Sequence, residues 1–276
     1  AGSGAARLGV PMSLGILEGT VKNTIVLPFN DIESLERVFE QNTEEIAAVI
    51  IEPVMGNAGV ILPREGYLQR IRKLTRESGA VLIFDEIITG FRLALGGAQE
   101  YYNVIPDMTT LGKIMGGGFP IAAFGGKKDI MELIAPVGKV YQAGTFSGNP
   151  VSVIAGLTTL RILSRESIYR RLELTCEKIR KGLIDIFEDV GVDAQVNNIA
   201  SMFQIFFTDQ PVIDYESAQR SDKTMFMRYQ HELMKRGVFV PPSQFETCFI
   251  SIAHSDEDIG RTLEAVESAI KAVRAA

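Results

Sequence analysis

Two short apolar runs that stop abruptly on charged side chains, and a third short stretch that leads into a lysine, constrain what this chain can fold into. Residues 46–51 form one such run and end in Glu52-Pro53. Val81-Leu82-Ile83-Phe84 forms the second and ends in Asp85-Glu86. Residues 107–111, Asp-Met-Thr-Thr-Leu, form a short third stretch of strand type and lead into Gly112-Lys113. Runs of this length, bounded by polar residues, read as buried strands. Between the first two lies 67–78, with Leu68, Ile71 and Leu74 at helical spacing and Gly79 behind them as a stop. Strand, helix and strand in that order predict a largely parallel sheet with crossover helices. Ligands of such sheets gather beyond the carboxyl ends of the strands, where these charged residues fall.

The rest of the chain reads in the same way. Residues 31–42 carry Ile32, Leu35, Val38 and Phe39 at helical spacing, with Asn30 or Asp31 placed as a cap. Residues 121–124 are a candidate fourth strand. Beyond Pro150 the texture changes. Residues 151–163 and 168–190 read as long helices, the second with Leu172, Cys176, Ile179, Leu183, Ile186 and Phe187 along one face. Residues 201–207 read as a strand, 223–236 as a helix stopped by Gly237, 249–253 as a strand, and 256–273 as a helix that Ser255 caps. The expectation is an α/β domain over 1–160 and a small α+β domain over 161–276. Residues 1–22 are rich in Gly, Ser and Ala, lack periodicity, and read as a mobile loop.

Composition narrows the function. A chain of 276 residues suits two domains. With 46% hydrophobic residues it can bury large cores. The net charge of −6 argues against a broad nucleic-acid surface. No apolar run approaches the roughly 20 residues that a membrane helix needs. The opening residues lack the basic and apolar regions of a secretory signal. Two cysteines, Cys176 and Cys248, cannot build a disulfide framework; one bridge stays open, and a reducing cytoplasm is expected. His231 and His254 are isolated, so no paired zinc ligands are expected. A nucleophile elbow is absent, because Ser147 in Gly144-Thr145-Phe146-Ser147-Gly148 stands one place late. A P-loop is absent too, and only Gly-rich stretches favour nucleotide binding.

The chemistry concentrates on Asp85 and Lys113. A plain structural ion pair is one reading of two such residues at neighbouring strand ends. Their surroundings favour another. Lys113 stands between Gly112 and Gly116-Gly117-Gly118, where backbone can approach a ligand closely. Asp85 emerges from a buried strand into a crevice. A carboxylate that keeps a ring nitrogen protonated, with a lysine that condenses with an aldehyde, is the recurring pair of pyridoxal phosphate sites. The protonated ring withdraws electrons as a Cα proton leaves, and the lysine must be a neutral amine to attack and to move protons.

Residues 50–131 contain, in order, Phe84-Asp85-Glu86, Gly90-Phe91-Arg92, Pro106-Asp107, Leu111-Gly112-Lys113, Gly116-Gly117-Gly118 and Pro120. This ordered set resembles the class III (ω-type) pyridoxal-phosphate-dependent aminotransferases. The resemblance implies the aspartate-aminotransferase-like fold type I of such enzymes: a large α/β domain with a mostly parallel sheet and a small C-terminal α+β domain. It implies that Lys113 is the Schiff-base lysine and Asp85 the partner of the pyridine nitrogen. Ile87 would press on one face of the ring, unless it is plain core. Asn57 would lie near the phenolic oxygen, with Glu52 supporting that edge or serving a structural hydrogen bond. Thr145 would reach the cofactor phosphate of a partner subunit, making a homodimer with a shared site; the alternative for Thr145 is a helix cap before Pro150. The cofactor would be pyridoxal 5'-phosphate or its amine form, pyridoxamine 5'-phosphate.

Residues 141–150 and 240–246 resemble the family's intramolecular branch, which moves an amine within one substrate and so performs an isomerisation. In that branch Ser3 would belong to a mobile active-site loop, and Glu246 would face the substrate, unless it is an ordinary surface glutamate. The alternative is an ω-aminotransferase with separate amino donor and acceptor. Either way the partner is a small molecule, with no nucleic acid and no membrane. Family members are longer. The resemblance therefore implies that this chain starts inside the fold, without the family's phosphate-binding Ser/Gly/Thr turn, its ring-stacking aromatic residue and its carboxylate-binding arginine.

Overall fold

Val81–Glu86 alternates half-buried and buried along its length, the period of a strand packed on both faces. Leu82, Phe84 and Glu86 are buried on one face; Val81, Ile83 and Asp85 share the other. The computed structural model describes residues 15–42, 44–165 and 167–275. In chain order, the helices are α1 (Glu18–Val21), α2 (Ile32–Gln41), α3 (Tyr67–Ser78), α4 (Gly97–Tyr101), α5 (Lys128–Met131), α6 (Pro150–Leu163), α7 (Ile168–Val190), α8 (Tyr215–Gln219), α9 (Lys223–Lys235) and α10 (Asp256–Ala275). The strands are β1 (Ala48–Ile51), β2 (Val81–Glu86), β3 (Met108–Leu111), β4 (Ala123–Gly126), β5 (Gln195–Ile199), β6 (Met202–Phe206) and β7 (Cys248–Phe249). The architecture is α/β, as the alternating runs predict.

Two packing units emerge, interleaved in sequence. One holds Ile32–Pro53 and Arg64–Tyr169. Its sheet has the order β1-β2-β3-β4; the first three strands are parallel and β4 runs against β3. The sequence places a fourth strand at 121–124; the sheet takes Ala123–Gly126 instead, because Gly125 and Gly126 pair with Thr109 and Met108. Gly79, at φ 74°, ends α3 in the left-handed conformation that glycine adopts without a Cβ penalty.

Asp107 is the polar node of this unit. Its Oδ2 accepts from Arg72 Nη1 and from the backbone N–H of Leu82, both at 2.8 Å, and its Oδ1 meets Lys127 Nζ at 2.6 Å. Burial opposes ionisation of this carboxyl, but the hydrogen bonds from Lys127, Leu82 and Arg72 outweigh it and hold the group below its ordinary value. One carboxylate thus ties α3, the start of β2 and the segment after β4 together.

The other unit holds the described residues up to Asp31, Val54–Pro63 and Arg170–Ala276. Here β5, β6 and β7 form an antiparallel sheet. Leu172, Cys176, Ile179, Leu183 and Phe187 of α7 are buried, the face expected from their spacing. Ser255 and Asp258 cap α10 reciprocally: Asp258 N–H donates to Ser255 Oγ at 3.2 Å, and Ser255 N–H donates to Asp258 Oδ2 at 2.8 Å. Residues 54–63 are strapped into this unit by side chains. Asn30 Nδ2 donates to the carbonyls of Leu62 and Ile213, and Asn197 Nδ2 to those of Val60 and Val212. Gly59 has φ 79°, and a Cβ there would collide with the Phe206 ring, so only glycine fits.

Cys176 and Cys248 are both free and buried. Burial pushes each thiol up to about 12. An ordinary thiol, with a pKa of about 8.5, is partly ionised near pH 8, and only the thiolate reacts. Ellman's reagent at about pH 8 is therefore expected to leave both cysteines unlabelled in the native protein and to label both in guanidinium. Fast native labelling of either would contradict the packing. The same shift makes stability fall as pH rises past about 8.5, where unfolded thiols ionise and folded ones do not. Among the described residues, no helix is long and apolar enough to cross a membrane, and no cluster of His, Cys, Asp or Glu could hold a metal ion.

Candidate active site

The carboxyl ends of β1, β2 and β3 stand side by side because the three strands are parallel and in register. Phe84 lies beside Ile51 and Thr109; Asp85 lies beside Thr110. Glu52 follows β1 and is buried. Asp85 is the penultimate residue of β2. Lys113 follows β3 after one residue, Gly112. Parallel strands are about 4.8 Å apart, so three positions that are distant in sequence meet at one edge of the sheet.

Asp85 is held by one oxygen only. Its Oδ1 accepts from the Thr110 hydroxyl at 3.1 Å and from the backbone N–H of Ile87 at 3.2 Å. Its Oδ2 has no hydrogen-bond partner among the described residues, and Asp85 and Lys113 form no ion pair. The structural ion pair that the sequence left open is therefore not made. A carboxylate fixed through one oxygen with the other open can accept a proton-bearing group of a ligand.

Lys113 is exposed and opens a tight turn over Lys113–Gly116. Its φ of 46° is unusual for a residue with a side chain. A left-handed conformation costs about 1–2 kcal/mol. Such strain persists where the surroundings impose it, often at functional sites. Here Gly117, at φ 56°, closes the turn, and α6 backs it: Gly156 has no side chain, and a Cβ there would stand 2.9 Å from the Met115 carbonyl. Gly112 packs against Ile87, whose Cδ1 would lie 3.1 Å from an added Cβ. Ile87 is thus apolar wall beside the root of Lys113.

The opposite face of the same strands carries a second polar cluster. Glu86 is fully buried and accepts from Thr89 Oγ1 at 3.0 Å, Ala98 N at 2.5 Å, Gln99 N at 3.2 Å and Gln99 Nε2 at 3.1 Å. Gln99 Nε2 also reaches Thr109 Oγ1 at 3.2 Å. The carboxylate caps the first-turn amides of α4 and folds the loop after Ile87 back on the sheet. In that loop Phe91 has φ 57°, and its carbonyl accepts from the Tyr169 hydroxyl at 3.0 Å. Burial lowers the neighbouring Arg92 to about 10 and raises Tyr169 to about 12.

The other residues suggested by the sequence lie in further segments of the chain. Asn57 and Glu246 belong to the other unit, where their chain neighbours are hydrogen-bonded: Thr247 Oγ1 donates to the Gly56 carbonyl at 2.8 Å, and Gly59 N–H to the Phe245 carbonyl at 2.7 Å. Glu246 is exposed. Thr145 lies in the exposed stretch 141–148. It does not cap α6; Asn149 does, accepting from the N–H groups of Val151 and Ser152 at 3.1 and 3.2 Å. Ser3 lies outside the described residues, as do 1–14 of the expected loop over 1–22; Glu18–Val21 in that loop form the single turn α1. Thr110, Glu86 and Gln99 escaped sequence reasoning. Thr110 could have been found from strand alternation combined with the register of β2 on β3, but a single sequence does not give that register.

Residues 9–270 match the model of the family described as aminotransferase class-III, and the chain belongs to that family. A glutamate-1-semialdehyde 2,1-aminomutase of Methanosarcina acetivorans is 57% identical over 265 residues, which are 96% of this chain and 62% of that protein. Among solved structures, an omega-transaminase from Sphaerobacter thermophilus superposes with a TM-score of 0.91 at 35% identity, over 96% of this chain and 61% of that one. A transaminase with PLP bound superposes with a TM-score of 0.86 at 27% identity, over 95% and 61%. The chain spans about 62–63% of the length of the curated relatives that it matches.

Proposed function

We propose that this chain forms the cofactor-binding and C-terminal parts of a glutamate-1-semialdehyde 2,1-aminomutase. The enzyme would convert (S)-4-amino-5-oxopentanoate to 5-aminolevulinate, an isomerisation that supplies tetrapyrrole (porphyrin) synthesis. The carrying observation is the pair at neighbouring strand ends: Asp85, clamped through Oδ1 with Oδ2 open, and the exposed Lys113 on its strained turn. That arrangement fits pyridoxal phosphate, which needs an acceptor at its ring N–H, an amine for its aldehyde and a flat apolar wall such as Ile87. When bound, the cofactor supplies an electron-withdrawing ring and a carrier for the migrating nitrogen. The choice of substrate rests on relatives at 50–57% identity that bear the aminomutase name.

In this reading the chain's own residues divide the work. Asp85 Oδ2 holds the proton on the ring nitrogen. Lys113 Nζ anchors the cofactor, then takes a proton from one carbon and returns it to another, as general base and then acid. Ile87 orients the ring. Glu52 and Asn57 are assigned to the edge of the phenolic oxygen, and Ser3 and Glu246 to gating and substrate. Residues 1–160, with 1–22 as an active-site loop, are assigned to the large domain and 161–276 to the small one. The enzyme is assigned to the cytoplasm.

A homodimer, with Thr145 reaching the partner's cofactor phosphate, completes the reading. Val137, Tyr141 and Phe146 support it. They precede or follow Thr145 within eight residues and are 77%, 84% and 75% exposed, apolar side chains suited to cover by another subunit.

The test is donor-free turnover. Purified full-length protein given the semialdehyde, with no amino donor or acceptor added, is expected to form 5-aminolevulinate, followed by mass spectrometry. Product that appears only after an amino donor is supplied would assign the protein to the ω-aminotransferases instead.

A further inference from the structure

We infer that Thr110 is a positioning residue, which acts on the cofactor through Asp85. The inference rests on the cofactor reading above. The Asp85 carboxylate can rotate about its Cβ–Cγ bond, a broad torsion with weak intrinsic preference. Something must therefore fix the plane of the carboxylate so that its unclamped oxygen faces outward. Two donors converge on Oδ1, the Thr110 hydroxyl and the Ile87 N–H, and neither touches Oδ2. The Ile87 N–H comes from the chain immediately after Asp85, and it moves whenever that loop moves. Thr110 is independent of the loop. It sits on β3, paired with Asp85 by register, three residues before Lys113. The same short strand therefore carries the clamp on the carboxylate and leads into the lysine.

The seam beneath is locked on its other face. Gln99 Nε2 bridges Glu86 on β2 and Thr109 on β3. Because successive side chains of a strand alternate in direction, Thr109 and Thr110 serve opposite faces of one seam. The rear bridge holds the strands, and the front hydroxyl aims Oδ2. Loss of the Thr110 hydroxyl should leave the sheet intact and let the carboxylate turn, so the ring nitrogen would share its proton with a misdirected acceptor.

The test uses the full-length protein loaded with pyridoxal 5'-phosphate labelled with 15N in its ring. Thr110→Val keeps the branched shape that suits a strand and removes only the hydroxyl. The expected result is a ring-nitrogen resonance displaced toward the unprotonated form and cofactor retention weakened roughly tenfold, the scale of one charge-assisted hydrogen bond. Thr110→Ser should restore both, and unfolding midpoints of the cofactor-free proteins should agree. Should Val at this position perturb folding, the Ser and Ala variants decide, since both lack the threonine methyl and they differ from each other in the hydroxyl alone. A 15N resonance and retention in Thr110→Val, or in Ala against Ser, equal to those of the unaltered protein would overturn the inference. Failure of the unaltered protein to bind the labelled cofactor would overturn the cofactor reading itself, and the inference with it.

Discussion

Lys113→Ala is expected to abolish covalent attachment of pyridoxal phosphate and to lower turnover by at least roughly 10³-fold, within the range that a general acid–base group contributes. The structure gives this residue no structural duty that would confuse the result. It is exposed, it makes no ion pair, and the turn that carries it is shaped by Gly112, Gly117 and the backing helix α6. Alanine should therefore leave the fold intact: it keeps the Cβ, so the backbone strain at φ 46° is unchanged, and no side-chain contact is lost. Lys113→Arg should be equally inactive, because a guanidinium stays protonated and has no free amine to offer. Borohydride treatment followed by peptide mass spectrometry reads the outcome directly. The cofactor mass is expected on the peptide that contains position 113 in the unaltered protein and on none in either variant. Recovery of that adduct on another lysine would remove Lys113 from its role.

How much of this was legible beforehand depends on whether a feature is local. Helix α3 announced itself with Leu68 and Ile71 on one face and Gly79 as its stop, and α10 through Ser255, because periodicity and caps act within a few residues. The polar ends of β1, β2 and β3 were equally plain, and they carried Glu52, Asp85 and Lys113. Features that need a distant partner were not legible. Strand β5 reads Gln-Val-Asn-Asn-Ile, too polar for a strand pattern, yet Asn197 finds acceptors at Val60 and Val212. Residues 249–253 alternate too weakly to sustain pairing, and β7 stops after Cys248–Phe249. The helix α4 follows one glycine, starts on another and has little intrinsic preference; it exists because Glu86, a dozen residues earlier, caps it. At this end of the sheet, the placement of Asp85 and Lys113 at strand ends was readable, whereas the contact of Thr110 with Asp85 depended on strand register.

That dependence of α4 on Glu86 sets the largest effect expected on stability. Glu86 is fully buried, and Gly97 at φ 73° lacks the Cβ that would strike its carboxylate, so the pocket is shaped around this side chain. Glu86→Ala would strand the Ala98 and Gln99 amides, the Thr89 hydroxyl and the Gln99 side chain without their acceptor. An unsatisfied buried donor costs about 1–3 kcal/mol. Water entering the vacated space can recover part of that, leaving a loss of roughly 3–5 kcal/mol, in line with breaking other buried polar networks. For a chain of this size the melting temperature should fall by about 10 °C. Glu86→Gln keeps one acceptor oxygen but turns an NH₂ toward the donors, so its loss should be smaller and still measurable. Hydrogen exchange distinguishes this mechanism from general loosening. The Ala98 and Gln99 amides should exchange much faster in Glu86→Ala, while amides paired between β1 and β2 keep their protection relative to global stability. A melting temperature within about 2 °C of the unaltered protein, with unchanged exchange at Ala98, would mean that α4 stands without its buried acceptor. The rear lock on the Asp85 seam would then have to lie elsewhere.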